Sequence, residues 1–197
     1  SDSHKSSHGT CHARTYVRTD QALATTSAAD IATAVRAQRA VVSRGLFLDV
    51  EAAGERRMGH REVVSHDPSR SLKLKVKVQS ASWIEADFVS VYSMGRPLSF
   101  ALQRNGTWAQ VKGGSPGATD KIPARGAAPT RLAATLTVRP QLDAWYVIVA
   151  RGKGDGSPVF SGAPFAFTNP IYVDVDGDGI ATIGPSRVWV AQSEVTR

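Results

Sequence analysis

The stretch Leu72-Lys73-Leu74-Lys75-Val76-Lys77-Val78 alternates apolar and basic residues without a break. Successive side chains of an extended strand point to opposite faces, so this pattern fits a strand with one face in a core and the other in water, and it fits no helix. Its lysines belong on the solvated face, where they also discourage pairing at a sheet edge. Further extended segments follow at 87–93, 107–111, 131–139, 144–150 and 171–174, with another near 187–191. Turn-rich stretches divide them, among them Gly113-Gly114-Ser115-Pro116-Gly117 and Gly152-Lys153-Gly154-Asp155-Gly156. Short strands punctuated by Gly and Pro, with no helical period between them, predict an antiparallel β-sandwich over 67–197.

The first third reads differently. From Asp30 to Val42 the apolar positions Ile31, Ala34, Val35 and Ala37 recur at helical spacing, with Asp30 as the expected N-cap. Val41-Val42 and Leu46-Phe47-Leu48 then read as strands joined through a bend that Gly45 permits. Polar residues 51–61, with Gly54 and Gly59, read as a closing loop. Two domains are therefore expected: 1–60 as a strand, helix and strand, and 67–197 as the sandwich.

Composition narrows the function classes. Hydrophobic residues at 42% and charged residues at 21% are ordinary for a packed domain. The longest apolar runs fall well short of the roughly 20 residues that span a bilayer, so no membrane span is expected. The net charge of +7 passes a first screen for nucleic-acid binding, but the basic residues are scattered from Arg14 to Arg197, and no nucleic-acid partner is expected. The lone Cys11 excludes an internal disulfide and leaves the compartment open, with a periplasmic or secreted location compatible. The opening residues carry no signal-peptide pattern and read as internal to a longer chain.

Two motifs carry chemistry. In Asp2-Ser3-His4 an extended backbone points a carboxylate and an imidazole to the same side, where both reach one divalent metal; His8 and His12 are further polar loop histidines. In Asp174-Val175-Asp176-Gly177-Asp178-Gly179, carboxylates at positions one, three and five with glycine at six open like a calcium loop. An EF-hand needs a bidentate Glu at position twelve, and that position is Pro185. A calcium site at Asp174, Asp176 and Asp178 and a plain Asp/Gly turn both remain open at this point.

The order of motifs along the chain resembles one family. Ser1-Asp2-Ser3-His4 followed by Ala13-Arg14-Thr15-Tyr16-Val17 resembles the end of the catalytic domain in the polymerase and histidinol phosphatase (PHP) superfamily, where an N-S-D-S-H block precedes a P-R-T-Y-V-like strand. The stretch from Asp30 to Leu48 is similar to the helix and GRxVVTNGPFL segment of its CehA/McbA-type metallohydrolases. Ala81-Ser82-Trp83-Ile84 resembles their APSWV turn, and Phe167-Thr168-Asn169-Pro170 through Gly179 resembles their FTNPIYVDVDGDG signature. Ala13 stands where a proline is usual, and Arg44-Gly45-Leu46 replaces N-G-P.

The resemblance implies a mainly β chain: an antiparallel sandwich preceded by a short α/β segment that would complete a PHP-type barrel. It implies hydrolysis of a small-molecule ester or phosphoester by metal-activated water in the full protein, with zinc, manganese or iron as the metal. Asp2 and His4 match its last ligand block. The remaining ligands would come from the missing N-terminal part of the same protein, so the isolated chain is expected to be inactive. The alternative is a non-enzymatic sandwich that binds carbohydrate, cell-surface polymer or protein. For that role Trp83, Trp108, Trp145 and Trp189 are the candidate stacking platforms.

Overall fold

The computed structural model describes residues 13–52, 56–57, 60–154, 162–179, 181–183 and 186–187. In chain order, β1 (Arg14–Val17) leads through a single 3-10 turn (Leu23–Thr25) into α1 (Ala28–Arg36). Then come β2 (Ala40–Arg44), β3 (Leu46–Ala52), β4 (Arg56–Arg57), β5 (His60–Ser65), β6 (Leu72–Ser80), β7 (Ala86–Ser93), β8 (Arg96–Pro97), β9 (Ser99–Leu102) and β10 (Trp108–Val111). The chain continues with β11 (Ile122–Pro123), β12 (Thr130–Val138), β13 (Ala144–Gly152), β14 (Phe165–Thr168), β15 (Ile171–Asp174), β16 (Thr182–Ile183) and β17 (Ser186–Arg187). The mainly β expectation is met, and α1 is the one α-helix among the described residues.

Two sheets enclose one core. The larger runs β1-β2-β14-β13-β15-β5, with β7 on the other edge of β13, and the smaller runs β4-β3-β6-β12-β10-β9. Leu72, Leu74, Val76 and Val78 of β6 are each at most 2% exposed, which is the apolar half of the alternation read from the sequence. They meet Leu46, Leu48 and Val50 of β3 and Leu136 and Val138 of β12 from the same sheet, and Val41, Val89, Val91, Ile148, Ala166 and Val173 from the opposite one, in a single buried cluster.

Several expectations need correction. Two pairings are parallel, β10 with β12 and β15 with β5, so both sheets are mixed rather than purely antiparallel. The lysines of β6 do face solvent, but β6 lies between β3 and β12 and guards no edge. Residues 51–61 contain β4 and the start of β5 rather than loop alone. The helix begins earlier: Ser27 is the N-cap and Asp30 occupies N3, with Asp30 N–H donating to Ser27 Oγ and Ser27 N–H to the Asp30 carboxylate. This reciprocal capping box satisfies two end donors at once, where a lone Asp30 cap would satisfy one. It also holds the Asp30 carboxyl below the usual carboxylate range, first through the Ser27 hydroxyl and then through the Ser27 backbone.

The expected division between 60 and 67 falls within paired strands. β2 pairs with β14 in the larger sheet and β3 with β6 in the smaller one, so residues 40–52 belong to both layers of the sandwich. The chain crosses between layers at Gly45, whose φ of 83° is costly for a residue with a Cβ. Ser43 Oγ donates to Leu46 O inside that corner.

Truncating Leu74 to Ala should cost about 2–5 kcal/mol, the usual range for a fully buried leucine. Lys75→Ala on the opposite face loses only its exposed ion pair with Glu51 at 3.0 Å and should cost about 0–1 kcal/mol. Urea denaturation of the two variants reads the contrast.

Candidate functional site

The motif Phe167 to Gly179, read from the sequence, lies wholly within the described residues, and the structure shows how its parts are held. β14 and β15 both pair with one edge of β13, and β7 occupies the other edge from Tyr146 to Gly152. They are one long strand interrupted at Asn169-Pro170, with the register slipping there by one residue. Pro170 has no N–H to give to a ladder. Thr168, 1% exposed, turns its hydroxyl inward and accepts the N–H of Ile148 at 3.2 Å. Asn169 Nδ2 donates to the carbonyls of Gln38 at 2.9 Å and Ala40 at 3.3 Å, fastening the turn between α1 and β2, where Gln38 itself sits at φ 58°. On its outer edge the strand changes neighbour at this point, from β2 beside β14 to β5 beside β15.

At the end of β15 comes the acidic loop. Asp174 is 3% exposed, and its two carboxylate oxygens accept the N–H of Gly177 at 2.6 Å and of Gly179 at 2.9 Å. Both glycines hold φ of 80°, which lets the backbone curl around the carboxylate. Asp176 accepts the Asp178 N–H at 3.2 Å. A fourth acid joins them: Asp143, just before β13, accepts the Val175 N–H at 2.8 Å. One carboxylate oxygen from each of Asp143, Asp174, Asp176 and Asp178 lies within 4.8 Å of the others. The sequence reading of this loop lacked Asp143. The signal was the antiparallel register Ala144↔Val173, which sets Asp143 beside Asp174 once the two strands are paired.

Such a cluster offers the oxygen donors that a hard cation takes. Both Asp174 oxygens are already engaged by backbone N–H groups, so the freer donors are those of Asp176 and of the second lone pairs around it. The electrostatics show the same tension. The Asp178 N–H lowers the carboxyl pKa of Asp176, but partial desolvation, the charges of Asp143 and Asp178 and the nearness of Asp174 outweigh it and hold that carboxyl above the usual range.

Asp2 and His4 lie outside the described residues, as do His8, Cys11, His12 and Trp189. The candidate stacking platforms separate. Trp83 is 67% exposed, Trp108 packs half-buried against the core, and Trp145 is half-buried on the outer face of the larger sheet.

The two outer faces differ in chemistry. On the smaller sheet, Asp49 faces Lys77 and Glu51 faces Lys75, in a shallow cleft of about 340 Å³. On the larger sheet β13 is apolar on both sides: Tyr146, Ile148 and Ala150 point into the core, while Trp145, Val147 and Val149 point out and are half-buried. Phe165 and Phe167 stack beside them with ring centroids 6.1 Å apart, and Phe167 remains 38% exposed. Comparison with models of protein families, with curated proteins and with solved structures returns no match.

Replacing Asp174 with Ala leaves two N–H groups without their acceptor, and should cost about 1–3 kcal/mol in urea denaturation. Asp176 behaves oppositely. Because its folded pKa is raised, the folded state is favoured below the unfolded pKa, and that advantage disappears as pH rises through the folded pKa. With chelator at neutral pH, Asp176→Asn should therefore melt at or above the parent. The gap should close as pH falls through the carboxylate range.

Proposed function

We propose that this chain is the C-terminal, mostly accessory portion of a metal-dependent hydrolase of the PHP type, and that it packs against the catalytic part through the outer face of its larger sheet. The observation that carries this proposal is the apolar second face of β13 with Phe165 and Phe167 beside it. A strand covered on one side only reads as alternation, whereas one covered on both sides reads as a continuous apolar run. β6 does the first, and Ala144-Trp145-Tyr146-Val147-Ile148-Val149-Ala150 does the second. An apolar surface of this kind marks a contact with another folded body.

In that arrangement Asp2 and His4 supply the last carboxylate and imidazole of a divalent-metal site. A divalent metal held by the complete ligand set would supply the Lewis acidity that water-driven hydrolysis of an ester or phosphoester needs at neutral pH. Two ligands do not hold a catalytic metal, so this chain by itself lacks activity. The acidic loop has a separate, structural role: Asp143, Asp174, Asp176 and Asp178 take a calcium ion weakly, joining the start of β13 to the end of β15. The cation relieves repulsion among carboxylates that backbone N–H donors only partly offset.

The isolated chain should show no turnover of chromogenic phosphate or carboxyl esters with added zinc or manganese. The longer gene product should turn them over and lose that activity with chelator and with His4→Ala. Turnover by the isolated chain that His4→Ala abolishes would overturn the proposal. For the loop, millimolar calcium should raise the melting temperature of the parent in proportion to log concentration once the site is mostly filled, as for any ligand specific to the folded state. Calcium should also reverse the chelator ranking, placing the parent above Asp176→Asn. An equal shift in both proteins would place calcium elsewhere.

A further inference from the structure

The loop between β6 and β7 holds an indole out in water on a backbone whose carbonyls are bonded by one arginine. Arg131, from β12, donates through Nε to Ser80 Oγ at 2.8 Å, through Nη2 to the carbonyls of Ala81 and Ser82 at 3.1 Å and Ile84 at 2.8 Å, and through Nη1 to Gly126 O at 3.1 Å. The carbonyls on either side of Trp83 are thus gripped by one guanidinium, whose planar fork suits several acceptors at once. Ile84 N–H closes the turn onto Ala81 O at 3.1 Å, and the Ile84 side chain, 7% exposed, anchors the loop in the core. A large apolar ring exposed by 67% costs hydration free energy.

Beside this loop lies a cleft of about 290 Å³ lined by Glu85, Ala86, Asp87, Arg125, Arg131 and Lys153. Its walls are tied together: Lys153 N–H donates to Glu85 O at 3.2 Å, and Arg125 pairs with Asp87 at 2.6 Å. Gly152 passes so close that a Cβ there would lie 2.5 Å from Glu85 O. Among the described residues the Glu85 and Lys153 side chains have no hydrogen bond or ion pair, so an anionic acceptor and a cationic donor remain available to a ligand. Ala86 is the only apolar residue lining the cleft, so its side-chain chemistry favours a polar ligand.

We infer that Trp83 and this cleft bind a saccharide, with one pyranose ring stacking its C–H face on the indole while its hydroxyls bond to Glu85 and Lys153. A sugar is the ligand class that pairs an apolar ring face with a rim of neutral donors and acceptors, and the cleft volume is at the small end of ligand sites, suited to one such unit of a longer chain. An indole combines a broad apolar face with low ordering cost, because only two side-chain torsions must be fixed. The inference is independent of the hydrolase proposal.

Native gels of the full chain, cast with hydroxyethylcellulose, barley β-glucan, xylan or galactomannan, test it, with polygalacturonate as a charge control. At least one neutral polysaccharide should retard the parent. Trp83→Ala and the double variant Glu85→Ala/Lys153→Ala should each weaken that retardation at least tenfold, while Trp145→Phe leaves it unchanged. Thermal melts of each variant check that the fold is retained, as expected for side chains in water. Retardation by none of the neutral polymers overturns the inference, as does retardation that Trp83→Ala leaves intact. So does binding to polygalacturonate alone that salt abolishes, which would be the attraction of a chain of net charge +7 for any polyanion.

Discussion

A strand paired on both edges has nowhere to hide a missing donor, and Pro170 puts one in the middle of such a strand. The larger sheet is arranged around that defect. Thr168 lends a hydroxyl to the Ile148 N–H, Asn169 turns outward to the carbonyls of Gln38 and Ala40, and the backbone slips one residue before pairing resumes at Ile171. Each substitution of a side chain for a backbone group keeps a buried polar atom satisfied, and leaving one unsatisfied costs about 1–3 kcal/mol. The slip also makes the fold possible in its observed order. It lets one strand take β2 as its neighbour in its first half and β5 in its second. Through β2, the N-terminal strand β1 and the segment up to Arg44 are thereby bound to the last third of the described chain.

The same constraint shapes the thirteen-residue motif from Phe167 to Gly179. Ile171 and Val173 fill the core, Thr168 and Asn169 repair the ladder, and Asp174 with Gly177 and Gly179 closes the loop that follows. Most of the motif is accounted for by backbone hydrogen bonds and packing. The three exposed or half-exposed acids around Asp174 are the part that this accounting leaves over, because packing alone does not call for four carboxylates in one place.

What was legible in the sequence followed from local contrast. β6 announced itself because its two faces differ in chemistry at every step, and Gly45 because only a glycine accepts its φ without strain. β13 was legible as a strand but not as a surface: with both faces apolar, the sequence does not say which side meets the core. Asp143 was invisible because its role depends on Val175, 32 residues away, supplied by strand register rather than by spacing. β5 was missed for a similar reason. It begins at His60-Arg61, inside the stretch 51–61 that reads as loop, and it takes a parallel place beside β15. Asp30 looked like a cap and is half of one, since the reciprocal bond to Ser27 turns on geometry that a one-residue rule does not contain.

The two surfaces left unexplained by folding are explained by different physics. The outer face of β13 is broad, half-buried and apolar, and its residues shield one another along and across strands; a surface like that gains most from a flat, equally apolar partner. Trp83 is single, prominent and rigidly mounted, next to charges that a flat apolar partner would have to desolvate at a cost of several kcal/mol per ion. The same partner is therefore poorly matched to both. A protein domain suits the sheet face, and a hydrated, ring-bearing ligand suits the loop. The Arg131 clamp favours the second assignment further: by fixing the carbonyls of Ser82 and Ile84 before any ligand arrives, it removes the ordering cost that a mobile loop would subtract from a weak, single-ring contact.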